Sequence, residues 1–313
     1  MHGHRSTLAV LVVLALCFLL SCSESVVDPD ASYLEEAGTG GDATLGGPRR
    51  DELNLRGTLL VATRGGLFAV NHRGESFLMN AIGSATVDVE VAGTRIFMQT
   101  YGDIMEIDHS GAVLSTIPVP DQIGYPIGFA ALPDGGFAVF DCEADSVYFL
   151  DSTGTLLQAV AMPGEDAPGH LQIMAGLVMG NDLIVSESGR GHIAKFDLTT
   201  YAMTVLRDFG HPSSDGFYGD IEHLGRYYYL CRPRLIQRFT ETSDLEVVAD
   251  FTDEYNAVAI ALMRNHAYVA LNFAGKVYKV NLSSGKTRTL LDGLDRPRDI
   301  EFIPAFLEPP AGP

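Results

Sequence analysis

Between Pro126 and Gly154 the chain alternates short apolar runs with turns more regularly than anywhere else. Ile127–Leu132 is followed by the turn-forming Pro133-Asp134-Gly135-Gly136, then by Phe137–Phe140 and Val147–Leu150, and the last run closes on Asp151-Ser152-Thr153-Gly154. A fourth run, Leu156–Met162, follows. Four such runs in about 40 residues predict one antiparallel meander of the size of a propeller blade.

The strand-turn-strand signature returns at Thr58–Asn71, Arg95–Asp108, Gly136–Asp151, Asp182–Asp197, Arg226–Thr240 and His266–Asn281, which makes six units. Five of these end on an Asx residue (Asn71, Asp108, Asp151, Asp197, Asn281) whose side chain can accept hydrogen bonds from the backbone just ahead. Every unit after the first is preceded by a further apolar run: Val87–Val91, Ile127–Leu132, Leu171–Met179, Gly219–Leu224 and Asn256–Met263. The first unit lacks one, and Arg296–Pro304 supplies it from the other end of the chain. The pattern predicts an all-β fold, a six-bladed β-propeller closed by a C-terminal strand. A parallel α/β fold would need helical periods between the strands, and none of adequate length occurs.

Outside this repeat the chain changes character. His2, His4 and Arg5 precede an apolar run, Leu8–Leu20, too short for a comfortable membrane span, so residues 1–21 read as a signal peptide. Its end, Leu19-Leu20-Ser21-Cys22, resembles the lipobox of bacterial lipoproteins. That resemblance implies a lipid on Cys22, membrane attachment through it and residence in the bacterial cell envelope; Ser23 in the following position implies the outer membrane. Residues 22–54 carry few apolar groups and read as a flexible tether with a reach on the order of 30 Å. Residues 55–305 form the propeller and 306–313 a Pro-rich tail.

A net charge of −19 repels polyanions and argues against a nucleic-acid partner. With no tryptophan, the chain also lacks the residue on which Trp-Asp repeats are built. Cys17 is lost with the signal and Cys22 is taken by lipid; Cys142 and Cys231, two units apart, are expected to be buried free thiols.

The stretch Pro126-Ile127-Gly128-Phe129-Ala130, with Pro133-Asp134-Gly135-Gly136, Phe137–Asp141 and Val147–Asp151, resembles the NHL repeat. The resemblance implies a six-bladed propeller over residues 57–304, although Asp145-Ser146-Val147 stands where the family has Asn-x-Arg. It implies no single partner, because this fold carries scaffolds, lactonases and lyases.

Candidate chemistry lies where strands converge on the axis. Asp88-Val89-Glu90, Asp220-Ile221-Glu222 and Asp299-Ile300-Glu301 recur at one place in three units, where another has Gly128-Phe129-Ala130. Alternation puts both acids of each triplet on one face, toward a central channel. The ends of the second strands, Thr63, Thr100, Asp141, Glu187, Cys231 and Asn272, are expected to form a ring at the same rim, with Arg64, Arg190, Arg232, His170, His211 and Asp215 in nearby loops. The acids serve either as solvated groups paired with Arg64, Arg190, Arg232 or Arg298, or as ligands of a divalent cation such as calcium. For the second use the candidates are Asp88, Glu90, Asp220, Glu222, Asp299, Glu301, Asp141, Glu187 and Asn272. Gluconolactonase-like six-bladed enzymes hold a divalent cation at such a rim, and amidating lyases of this fold hold zinc through histidines. For the latter His170 and His211 are candidates without an equivalent third. Nucleophile elbows, HExxH motifs, P-loops and dinucleotide fingerprints do not occur. The expectation is a lipid-anchored module that binds a protein or small ligand at its loop face; the alternative is a divalent-metal-dependent hydrolase of lactonase or esterase type.

Overall fold

The computed structural model describes residues 58–303 apart from 72–73, 82–85, 163–172, 189–190, 211–218, 252–253 and 255. The expected signal, Cys22, tether and tail, together with His170, Arg190, His211 and Asp215, lie outside the described residues.

Six four-stranded antiparallel sheets make up the described chain. Blade 1 is mixed in origin: Leu59–Thr63, Gly66–Val70 and Ser76–Asn80 come from the start of the propeller, while its inner strand, Pro297–Phe302, comes from the end. The predicted closing strand thus pairs antiparallel with Leu59–Thr63, Leu59 opposite Phe302. Blades 2 to 6 follow in sequence with inner strands Asp88–Ala92, Pro126–Ala131, Ile173–Met179, Ile221–Leu224 and Ala257–Met263. Each inner strand touches the next around a full circle, so the fold is a closed six-bladed propeller.

Composition explains the layering. A blade has neighbours on both faces, so its second strand has no solvent side and reads as continuous apolar sequence; Leu59–Thr63 and Phe137–Asp141 are buried at every position. The outermost strands face water, and Val113–Pro118 is exposed at five of its six residues. Burial concentrates in six clusters, one at each junction between adjacent blades. The Asx turns form as expected. Asp151 Oδ1 accepts from the N–H groups of Thr153 and Thr155 at 2.8 and 2.9 Å, and Asp108 does the same for Ser110 and Ala112.

One feature of the inner strands was not visible in the sequence. Register shifts near the start of the inner strand in blades 1, 3, 4 and 6, and in blades 2 and 5 the backbone bonds from Val87 N to Gln99 O and Gly219 N to Cys231 O show the same displacement. Such a bulge re-aims the residue that follows it. The structure therefore corrects the expected ring of second-strand ends: Asp141 and Glu187 lie opposite the residue before the bulge, Cys231 lies one step deeper beside Asp220, and Asn272 lies one residue beyond its strand. Cys142 and Cys231 are both free thiols, and only Cys231 is fully buried.

Candidate functional site

The axis presents each inner strand with a free edge, whose N–H groups need acceptors that no further strand can supply. Three aspartates, placed just after the bulges of blades 1, 2 and 5, supply them. Asp88 accepts from its neighbour Val89 N at 2.8 Å and, with its other oxygen, from Phe129 N of blade 3 at 2.7 Å. Asp220 repeats the pattern with Ile221 N at 2.7 Å and Ile260 N of blade 6 at 2.9 Å. Asp299 bonds Ile300 N and reaches Val89 N of blade 2 at 3.0 Å. Three carboxyl groups thereby serve the corresponding edge N–H in five blades, and none reaches the sixth, Gly176 of blade 4.

The glutamates two residues further in do similar work one layer deeper. Glu301 accepts from Phe302 N at 2.7 Å, Glu222 from His223 N at 3.3 Å, and Glu90 from the backbone of Ala131 in blade 3. All six acids are half-buried, as befits side chains gathered where the inner strands meet.

Electrostatics follow from the crowding. Burial pushes the Asp88 carboxyl up to about 7, against the opposing pull of hydrogen bonds from Asp299 and Phe129. Burial likewise holds Glu301 at about 8. Asp220, Asp299, Glu90 and Glu222 are raised well above the carboxylate range, first by burial and then by neighbouring acids. Asp88 and Asp299 converge on the single Val89 N–H, and burial together with the charge of Asp88 pushes Asp299 up.

Two of the expected arginine partners bond other groups. Arg298 Nη1 donates to Tyr101 Oη at 2.8 Å and Arg232 Nη1 to Gln237 Oε1 at 3.2 Å. Among the described residues, none of the ion pairs formed by Lys or Arg involves the six channel acids. The remaining candidates are also occupied. Asp141, fully buried, accepts from the N–H groups of Gly124, Tyr125, Glu143 and Ala144 and so shapes the loop entering blade 3. Glu187 lies opposite His192, Oε2 to Nδ1 3.6 Å, and the Asn272 amide donates to Pro297 O at 3.0 Å.

An all-oxygen donor set suits a hard cation. Among the described residues, however, no three His, Cys, Asp or Glu side chains converge closely enough to hold a metal ion by themselves. One residue that sequence reasoning passed over stands beside the acids. Gln99, opposite Asp88 in register, is fully buried and neither of its amide atoms has a hydrogen-bond partner. An unsatisfied buried group of this kind costs about 1–3 kcal/mol. A glutamine ending an otherwise apolar second strand was the available signal.

Where the channel opens between the interblade loops, the Tyr101 and Tyr125 rings lie 5.5 Å apart beside Arg298, and Arg296 sits 5.8 Å over the 64 % exposed ring of Phe273.

No family model and no curated protein matches the sequence. Solved structures do match the fold. A chain of the nidogen/laminin complex superimposes with a TM-score of 0.65 at 12 % identity, covering 79 % of this chain and 98 % of that one. A Bacteroides caccae protein of unknown function gives 0.58 at 14 % identity, with 79 % and 98 % covered. A streptogramin B lyase structure gives 0.52 at 14 % identity, with 68 % and 70 % covered. At these identities the likeness establishes the propeller fold.

Proposed function

We propose that this chain is a propeller of NHL-like design, held at the bacterial outer membrane by lipid on Cys22, that binds a protein or small ligand through its interblade-loop face. The observation that carries this reading is the placement of the chain ends. Thr58 and Ile303 are joined by a backbone hydrogen bond of 3.0 Å at the rim opposite the interblade loops, so the two ends of the described propeller lie on one rim and those loops on the other. On the loop rim stand Tyr101, Tyr125, Arg298, Arg296 and Phe273, the residue types that dominate binding hot spots. Cys22→Ser should release the protein from the membrane fraction or leave its precursor unprocessed; unchanged fractionation and mature mass would remove the anchor. A photo-crosslinking residue at position 273 should give adducts in cells that one at position 93, on the opposite rim, does not. Equal adducts from both would remove the loop-face assignment.

A second reading rests on the gathering of acids at the axis, where Asp299 and Asp88 meet at Val89 N and burial pushes Asp88 up to about 7, the range of a group that both gives and takes a proton. In that reading the channel holds a divalent cation and the chain is a hydrolase of lactonase or esterase type, with Asp88 moving the proton.

A further inference from the structure

Gln99 points to a ligand within the ring. Two residues before it on the same strand, Phe97 packs on Phe137 of blade 3 with ring centroids 5.2 Å apart. Strand alternation therefore places the Gln99 side chain in that same junction, beside the carboxylate of Asp88, its register partner, which itself reaches across to Phe129 N. The residues equivalent to Gln99 in two other blades meet a carbonyl of the following blade: Ser186 Oγ lies 2.7 Å from Gly219 O and Cys231 Sγ 3.8 Å from Ala259 O. Gln99 makes no such contact and is 0 % exposed, with both amide atoms unpartnered. Thr86, two residues before Asp88 and also 0 % exposed, leaves its Oγ1 unpartnered too. Buried polar groups in this state call for a partner, and water or an ion can supply it.

We propose that the Asp88 and Asp299 carboxylates and the Gln99 amide oxygen form a site for one calcium ion where blades 1, 2 and 3 meet, with water completing its shell. Two carboxylates balance the double charge, and an amide oxygen is a ligand that calcium accepts readily. Calcium tolerates an irregular shell of six to eight oxygens drawn from several strands, which magnesium, with its strict octahedron, does not. The Gln99 NH2 then donates to a coordinated water. Because the two acids already converge on Val89 N, the ion would tie the inner strands of blades 1 and 2 to the Asp88 clasp on blade 3. The site is independent of what the loop face binds; it shares the cation of the hydrolase reading, and calcium binding by a chain without hydrolase activity keeps the site while removing that reading.

The test uses full-length purified protein, stripped with chelator and titrated with CaCl2 at pH 8 by calorimetry and thermal melting. One ion per chain should bind, with a saturable rise in melting temperature that MgCl2 does not reproduce. Asp88→Asn should abolish the response. Gln99→Leu should weaken calcium binding at least about tenfold, yet in chelator it should melt at or above the wild type, because the orphaned amide is gone. Asp121→Asn, which removes one exposed acid near the loops, should respond like the wild type. If Asp88→Asn does not fold, Gln99→Leu decides alone. No saturable response up to about 1 mM calcium, or wild-type calcium binding by Gln99→Leu, would overturn the site and leave ordered water as the occupant of the junction.

Discussion

Between blades 2 and 3 the junction is polar at the axis: Asp88 bonds Phe129 N across the gap and Gln99 lies behind it. Between blades 3 and 4 the equivalent residues are Gly128, Phe140 and Gly176. Here the Phe140 ring fills the space so completely that a Cβ on Gly176 would lie 2.3 Å from its Cζ. The two junctions join similar sheets by opposite means. An aromatic ring against a glycine gains dispersion and apolar burial and has nothing to titrate. A carboxyl clasp satisfies backbone N–H groups that packing cannot, at the cost of desolvating an acid. Among the described residues, the aspartates that cross between blades lie at junctions 1/2, 2/3 and 5/6, and it is there that protons should matter most.

The largest effect should come from removing residues 296–313. This takes away the inner strand of blade 1 and the Asp299 clasp, and it exposes apolar surface at two junctions at once. A loss above about 5 kcal/mol, or no cooperative unfolding in urea, is expected. Deletion of Ser23–Arg50 should change stability by less than about 0.5 kcal/mol, and a C-terminal truncation that unfolds like the full chain would mean that the ring does not depend on its closure.

Gly176→Val probes the apolar junction. Overpacking against Phe140 should cost about 3 kcal/mol, equally at pH 5 and pH 9 because no acid reports on that contact. A cost that varied with pH would blur the distinction between the two kinds of junction.

A smaller effect should separate the polar junctions by pH. Asp88 and Glu301 have folded values of about 7 and 8, above the ordinary range, so the native state holds their protons more tightly than the unfolded chain does. Their contribution is fully present below the unfolded value near 4 and is lost as pH rises through 7 and 8. In chelator, the melting temperature should therefore be higher at pH 5 than at pH 9, by roughly 5 °C. Surface carboxylates act the other way: Asp108, Asp151 and Asp197, held low by turn hydrogen bonds, lose their contribution only in acid as pH falls through their depressed values. Melting curves that do not move between pH 5 and pH 9 would mean that the channel acids are freely solvated.

Much of this could be read from the chain. The six units, the Asx turns and the closing strand follow from local alternation and turn residues, and the three Asp-x-Glu triplets from strand periodicity. What escaped depends on contacts between distant residues. Asp88 and Phe129 are 41 residues apart, and Asp299 and Val89 are 210 apart, so no local pattern announces that these acids cap a neighbouring edge. The bulge is set by backbone geometry, which is why Cys231 and Asn272 stand one residue out of step with Asp141 and Glu187. Arg298 was expected to offset an acid, and its preference for the Tyr101 hydroxyl could be found only once blades 1 and 2 were side by side.

The clasp itself is tested most directly at junction 5/6, away from the coupled Asp88–Asp299 pair. Among the described residues, Asp220 there accepts from the backbone at Ile221 N and Ile260 N. Residue-resolved amide hydrogen exchange should be compared between the wild type and Asp220→Ala. If the carboxyl caps the free edge, protection at Ile260 and Ile221 should fall by about tenfold or more, in line with the loss of a hydrogen bond to a buried acceptor, while Phe129 at junction 2/3 keeps its wild-type rate. Unchanged protection at Ile260 would contradict the account.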